Sequence, residues 1–111
     1  LPLVTRGSAM ADAIVMMSAK GFGCALVVEN DGTLAGIITD GDLRRHMGPD
    51  LTAKTVEAVM TKNPVTMKPN ALVAEALEMV ETRNIGAIIV AEGGKPAGLV
   101  HVLDLLKIGA A

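Results

Sequence analysis

Two short segments carry the side chains best suited to chemistry. Thr39-Asp40-Gly41-Asp42 runs into Leu43-Arg44-Arg45-His46, and His101 is followed three residues later by Asp104. A carboxylate where a strand meets a helix can accept hydrogen bonds from both hydroxyls of a ribose. A threonine hydroxyl beside helix N–H groups can serve a phosphate. The same residues also describe a helix cap, because Thr and Asp are favoured at and just after a helix start. One pair can do both. Arg44 and Arg45 offer planar forks that bind phosphate or carboxylate bidentately, although two such residues also suit a solvated helix face. His101 brings a larger ring whose charge changes near pH ~6.5. It could hydrogen-bond an anionic group, fill part of a cavity, or be satisfied by Asp104 or the backbone.

Other chemistries find less support. No Ser/His/Asp or Cys/His arrangement can be argued, and no Gly-rich dinucleotide fingerprint is present. Neither His101 nor His46 has further His or Cys residues at ligand spacing, so no metal is expected. Asp40-Gly41-Asp42 is too short for a calcium loop. Cys24 is the single cysteine and lies in an apolar stretch, where a raised pKa and low reactivity are expected. With no internal disulfide possible and no secretory signal, the chain reads as cytoplasmic. It lacks an initiator Met and reads as a piece of a longer protein.

The 111 residues are 50% apolar, yet Phe22 is the sole aromatic residue, and the net charge is −2. Such a chain is too apolar for disorder. Its longest run without a strongly polar residue, Gly21 to Val28, is too short to span a bilayer. With neither stacking aromatics nor a basic surface, nucleic acid is not an expected partner. No polybasic membrane patch is present either.

The elements that must position these side chains occur twice. Asp12-Ala13-Ile14-Val15-Met16-Met17 resembles Glu75-Ala76-Leu77-Glu78-Met79-Val80, and Lys20 to Val27 faces Arg83 to Val90, both at an offset of 63. Beyond the next turn the offset is 62: Ala35-Gly36-Ile37-Ile38 faces Ala97-Gly98-Leu99-Val100, and Asp42-Leu43 faces Asp104-Leu105. A one-residue change of register is best tolerated in a turn. Each unit reads as strand, helix, strand, strand, helix, which makes the fold class α/β (α+β).

In the first unit, Ser8 is expected to cap a helix reaching about Lys20. Strands at 23–29 and 34–39 flank the turn Asn30-Asp31-Gly32, and a last helix runs from about Gly41 to Met47. Thr55 to Met60 forms a short helical linker. In the second unit, Val65-Thr66-Met67 is extended, and Asn70 caps a helix to about Arg83. Gly86 to Ala91 and Ala97 to His101 are strands around the turn Glu92-Gly93-Gly94-Lys95. Leu103 to Ile108 is helical and ends at Gly109. Residues 1–50 are thus the first repeat, 51–63 the linker and 64–111 the second repeat. The nearly all-apolar strands suit sheets buried on both faces, and the two sheets are expected to close a shared core.

Val59-Met60-Thr61-Lys62-Asn63-Pro64-Val65-Thr66, Ala74-Glu75-Ala76-Leu77-Glu78-Met79 and Gly36-Ile37-Ile38-Thr39-Asp40-Gly41-Asp42-Leu43 make the chain resemble a tandem CBS-domain pair, or Bateman module. The resemblance covers the whole chain, with the first copy trimmed of the linker motif that would precede Leu1. It implies a pseudo-twofold pair with a nucleotide-type ligand in the cleft between repeats. Thr39 and Asp42 are then ligand contacts. Lys62 and Thr66 lie beside the entry strand, and Asp104 is the retained acid of a second site that His101 makes non-standard. The base would lie among Leu3, Val4, Cys24 and Ala25 in one pocket, or Val65, Ala87 and Ile88 in the other. Phe22 reads as a packing plug.

Leu1-Pro2-Leu3-Val4, Thr39 to Arg45 and His101 to Lys107 further resemble the C-terminal part of arabinose-5-phosphate isomerases, in which a sugar-isomerase (SIS) domain precedes the CBS pair. That resemblance implies a non-catalytic regulatory piece of an isomerase serving Kdo and lipopolysaccharide synthesis. No cofactor is required, and CMP-Kdo, a downstream product, is a candidate bound ligand. The SIS domain and a second copy of the chain are the implied partners. Two alternatives are a dimerisation module without a physiological ligand and an adenine-nucleotide sensor.

Overall fold

The computed structural model describes residues 1–21, 23–71, 73–83 and 87–101. It divides into two units, Leu1–Pro64 and Val65–Ala111. The expectations for Phe22, for the strand start at Gly86, for the helix at 103–108 with its Gly109 cap, and for Asp104 lie outside the described residues.

In the first unit, strand β1 (Leu3–Thr5) leads into helix α1 (Met10–Lys20), which returns the chain to β2 (Cys24–Val28). β1 and β2 pair in parallel, Leu3 opposite Leu26, as a helical crossover requires. β3 (Leu34–Thr39) pairs antiparallel to β2, with Cys24 opposite Thr39. The two-residue β4 (Thr61–Lys62) then adds to the outer edge of β3, giving the order β1-β2-β3-β4. Every residue of β2 is buried, which is why alternation is missing from its sequence. α1 buries Met10, Ala13 and Met17, a helical 3–4 spacing. They pack with Val4, Ala25, Val27 and Ile38, and with Leu51, Val56, Val59 and Met60. Those last four come from a 3-10 turn at Leu51–Ala53 and from helix α3 (Val56–Val59) with its C-cap, so residues expected to link the repeats complete the first core.

The start of α1 departs from expectation. Its N-cap is Ala9, with no side-chain cap, rather than Ser8. Ala9 instead makes an isolated antiparallel bridge with Thr55. The Met10 amide donates to the Lys54 carbonyl (2.8 Å) and the Val56 amide to the Ser8 carbonyl (2.9 Å). Main chain from 54–56 thus satisfies a helix-start donor that a serine hydroxyl would otherwise take.

In the second unit, β5 (Thr66–Met67) pairs in parallel with β6 (Ala87–Glu92), which pairs antiparallel with β7 (Lys95–His101). The hairpin turns on Gly93 and Gly94, both with positive φ. Helix α4 (Val73–Arg83) lays Ala76 against Ile88, with Met67, Leu77, Met79 and Val100 around them. Asn70 is set before α4 rather than at its first residue. It lies in a turn closed by the Ala71 amide on the Lys68 carbonyl (3.1 Å), and α4 begins three residues later. Pro69 explains this, since proline favours such a turn and lacks a donor of its own.

Candidate functional site

β3 runs directly into helix α2 (Asp40–Arg45), and Thr39 is its N-cap. The extended backbone of Thr39 (φ −118°, ψ 173°) turns its side chain toward the helix start. The helix begins at Asp40 and stops at Arg45, one and two residues earlier than Gly41 and Met47. The Asp42 amide donates to the Thr39 hydroxyl (3.4 Å), and the Thr39 amide donates back to Asp42 Oδ2 (2.9 Å), a reciprocal capping box. The Thr39 hydroxyl also donates to Oδ2 (3.1 Å).

The other carboxylate oxygen faces away from this cap. Asp42 Oδ1 accepts from the Thr61 hydroxyl on β4 (2.7 Å) and from Arg45 Nη2 (2.5 Å). Asp42 is only 2% exposed, and four donors fill the acceptor positions of its carboxylate. Burial is the largest influence on its acidity and pushes the pKa up. The bonds from the Thr61 hydroxyl, the Thr39 amide, the Arg45 guanidinium and the Thr39 hydroxyl outweigh it and hold the group below its ordinary 3.8. Asp42 is therefore a buried carboxylate that ties together the end of β3, the start of α2 and β4.

The remaining residues picked out by the sequence are dispersed. Arg44 is exposed on α2, and Lys62 is exposed on β4 beside Thr61, its backbone paired with Gly36. Thr66 lies exposed on β5 in the second unit. Ala87 opens β6 and pairs with His101, the last residue of β7. That pairing matches Cys24 opposite Thr39, so the structure puts His101 at the register position Thr39 holds in the first unit. His101 is half-buried.

Cys24 is buried, and burial, followed by the charge of Asp40, pushes its thiol pKa up, as an apolar strand predicts. Among the described residues no three His, Cys, Asp or Glu side chains gather as a metal would need. None of their helices is long and apolar enough to cross a membrane. A groove of about 290 Å³ in the second unit, lined by Met67, Lys68, Asn70, Ala71, Glu75 and Met79, includes none of the selected side chains.

Thr61 was not singled out as a site residue. It lies 19 positions from Asp42, beyond any helical or strand spacing, and only the Val59-Met60-Thr61-Lys62 segment of the repeat resemblance marks it.

Comparison with known proteins agrees with this geometry. The sequence model of the CBS domain matches residues 1–48 and 56–111. The arabinose 5-phosphate isomerase KdsD of Pseudomonas aeruginosa is 40% identical over 98% of the chain and 34% of its own length. The protein RP505 of Rickettsia prowazekii is 36% identical over the whole chain and 35% of its own length. The chain thus spans about a third of the length of these curated relatives. Among solved structures, the CBS-domain protein ATU1752 of Agrobacterium tumefaciens superposes with a TM-score of 0.84 at 26% identity, covering 95% of this chain and 81% of that one. CBSX2, solved in complex with AMP, superposes with a TM-score of 0.81 over 97% of this chain and 86% of its own, and at 18% identity that likeness concerns the fold. The duplicated strand-and-helix pattern, the strand-to-helix turn at Thr39–Asp42 and the match across both repeats lead to one assignment: the chain belongs to the CBS domain family.

Proposed function

We propose that this chain is the regulatory part of an arabinose-5-phosphate isomerase and that it binds a nucleotide or sugar nucleotide at the β3–α2 turn of its first repeat. The observation that carries this reading is Asp42. It is a buried carboxylate at a strand end, with one oxygen committed to the cap and the other held partly by an exposed arginine. Oδ1 is suited to a ribose diol, and Thr39, Arg44, Arg45 and Lys62 supply polar and cationic groups on neighbouring elements. His101 holds the register position of Thr39 in the second repeat, Asp104 corresponds to Asp42 by sequence offset, and with Thr66 and Ala87 they would shape a second, non-equivalent site.

The 40% identity to KdsD of P. aeruginosa supports a parent enzyme interconverting ribulose 5-phosphate and arabinose 5-phosphate through a separate sugar-isomerase domain in the cytoplasm. In that setting CMP-Kdo, a product further along the same synthesis, is the proposed ligand and feedback signal, acting on a homodimer. A regulatory ligand must prefer one arrangement of the protein over another, and a hundredfold preference is worth about 2.7 kcal/mol.

Two observations favour other readings. All four acceptor positions of Asp42 are filled from within the first unit, as a purely structural cap would have them. AMP in the CBSX2 structure favours an adenine-nucleotide sensor. Calorimetric titration with CMP-Kdo, CMP, AMP and ATP separates the three. Preference for the cytidine ligands supports feedback, preference for AMP or ATP replaces it with energy sensing, and no binding at millimolar ligand leaves the structural module.

A further inference from the structure

We propose that Arg45 is an exchangeable latch on Asp42: a ligand diol takes its place on Oδ1, and the released guanidinium pairs with the anionic end of the same ligand, so that Arg45 selects charged nucleotides over neutral nucleosides. This rests on the reading of Asp42 as a ligand contact.

Three of the four donors on Asp42 are held tightly. One is the main-chain amide of Thr39, and two are short hydroxyls, Thr39 on the same turn and Thr61 on a paired strand. The fourth is different. Arg45 reaches back three residues along α2, its side chain is 63% exposed, and it pairs with a carboxylate that is 3% exposed. Water can solvate a guanidinium on that side at once, so its release is the least costly of the four. The hydroxyls offer no charge to a ligand once released, whereas a freed guanidinium keeps its five donors for phosphate or carboxylate.

Gly41 gives the latched position room. A Cβ built there would stand 3.3 Å from Arg45 Nη1 and 3.9 Å from Cζ. The guanidinium thus lies over the bare Cα of Gly41, and a methyl group there, in ordinary contact with Thr39 Oγ1 at 3.6 Å, would make the guanidinium give slightly without removing its charge. Gly41 is helical rather than left-handed, so alanine fits its backbone.

The test is calorimetry on the whole chain with cytidine against CMP and adenosine against AMP, for wild type, Arg45→Ala and Gly41→Ala. Wild type is expected to favour the nucleotide of at least one pair by about tenfold or more. In Arg45→Ala the nucleoside should bind about threefold tighter or better and the nucleotide about tenfold weaker, so that the preference collapses. Gly41→Ala, which loosens the latch but retains the charge, should strengthen both members of the pair. Equal changes for nucleoside and nucleotide in Arg45→Ala overturn the latch while leaving the ligand site intact. Absence of binding by wild type overturns the ligand reading itself, and the latch with it.

Discussion

Asp42 is where the two meanings of the Thr-x-x-Asp spacing meet. From sequence, the pair reads as a cap, a ribose contact, or both. In the structure the cap is complete, and the carboxylate is bonded on both oxygens. Removing it leaves the Thr39 amide and the Thr61 hydroxyl without their acceptor, so Asp42→Ala should lower stability by about 1–3 kcal/mol in urea or thermal unfolding. The fold should survive and nucleotide binding should be lost. Unchanged affinity in the folded variant would return Asp42 to a simple cap. The charge has its own signature. Its folded pKa lies below the unfolded 3.8, so the stability it contributes is fully present above that value and is lost as pH falls through the folded one. The stability gap between wild type and Asp42→Asn should therefore narrow as the pH falls below 3.8 and through the lower folded pKa. A gap constant over that range would mean that the charge contributes nothing.

At the scale of elements, the two repeats share strands and register but differ at one edge. Gly36 and Gly98 are equivalent by sequence, yet a Cβ on Gly36 would stand 2.6 Å from Met60 Sδ and 2.8 Å from the Thr61 carbonyl oxygen. On Gly98 the nearest atom among the described residues would be Val90 Cβ at 3.7 Å. The difference is β4, which lies along β3 opposite Gly36. Among the described residues β7 pairs with β6 alone. Gly36→Ala should cost about 1–3 kcal/mol, because a main-chain oxygen cannot give way as a side chain can. Gly98→Ala should fall within about 0.5 kcal/mol of wild type. Parallel thermal melts of the two variants check both. Sequence patterning showed the strand pairs and the α1 helix face because burial repeats there at fixed spacing. It missed β4, two exposed residues with no periodicity, and with it Thr61. Ser8 has the right chemistry for a cap, but a main-chain bridge at Ala9 decides that start instead.

At the scale of the whole chain, residues 51–63 fall in the first unit and lend it part of its core. Leu51, Val56, Val59 and Met60 are buried in it, and the Ala9–Thr55 bridge fastens them to α1. The amides of Met10 and Val56 should thus exchange with solvent as slowly as those of Ala25 to Val27, as one cooperative unit. Fast exchange at Met10 and Val56 with a protected β2 would show a detachable linker. The apolar, almost aromatic-free composition fits cores of Val, Ile, Ala and Met, and the proposed function assigns polar recognition to a few residues on the β3–α2 turn. The most direct test of that assignment is calorimetric titration of wild type and Asp42→Ala with CMP-Kdo, CMP, AMP and ATP. Saturable binding of at least one of these ligands to wild type, lost in the folded Asp42→Ala variant, is the predicted result. Silence toward all four at millimolar concentration, or binding that Asp42→Ala leaves untouched, would contradict it.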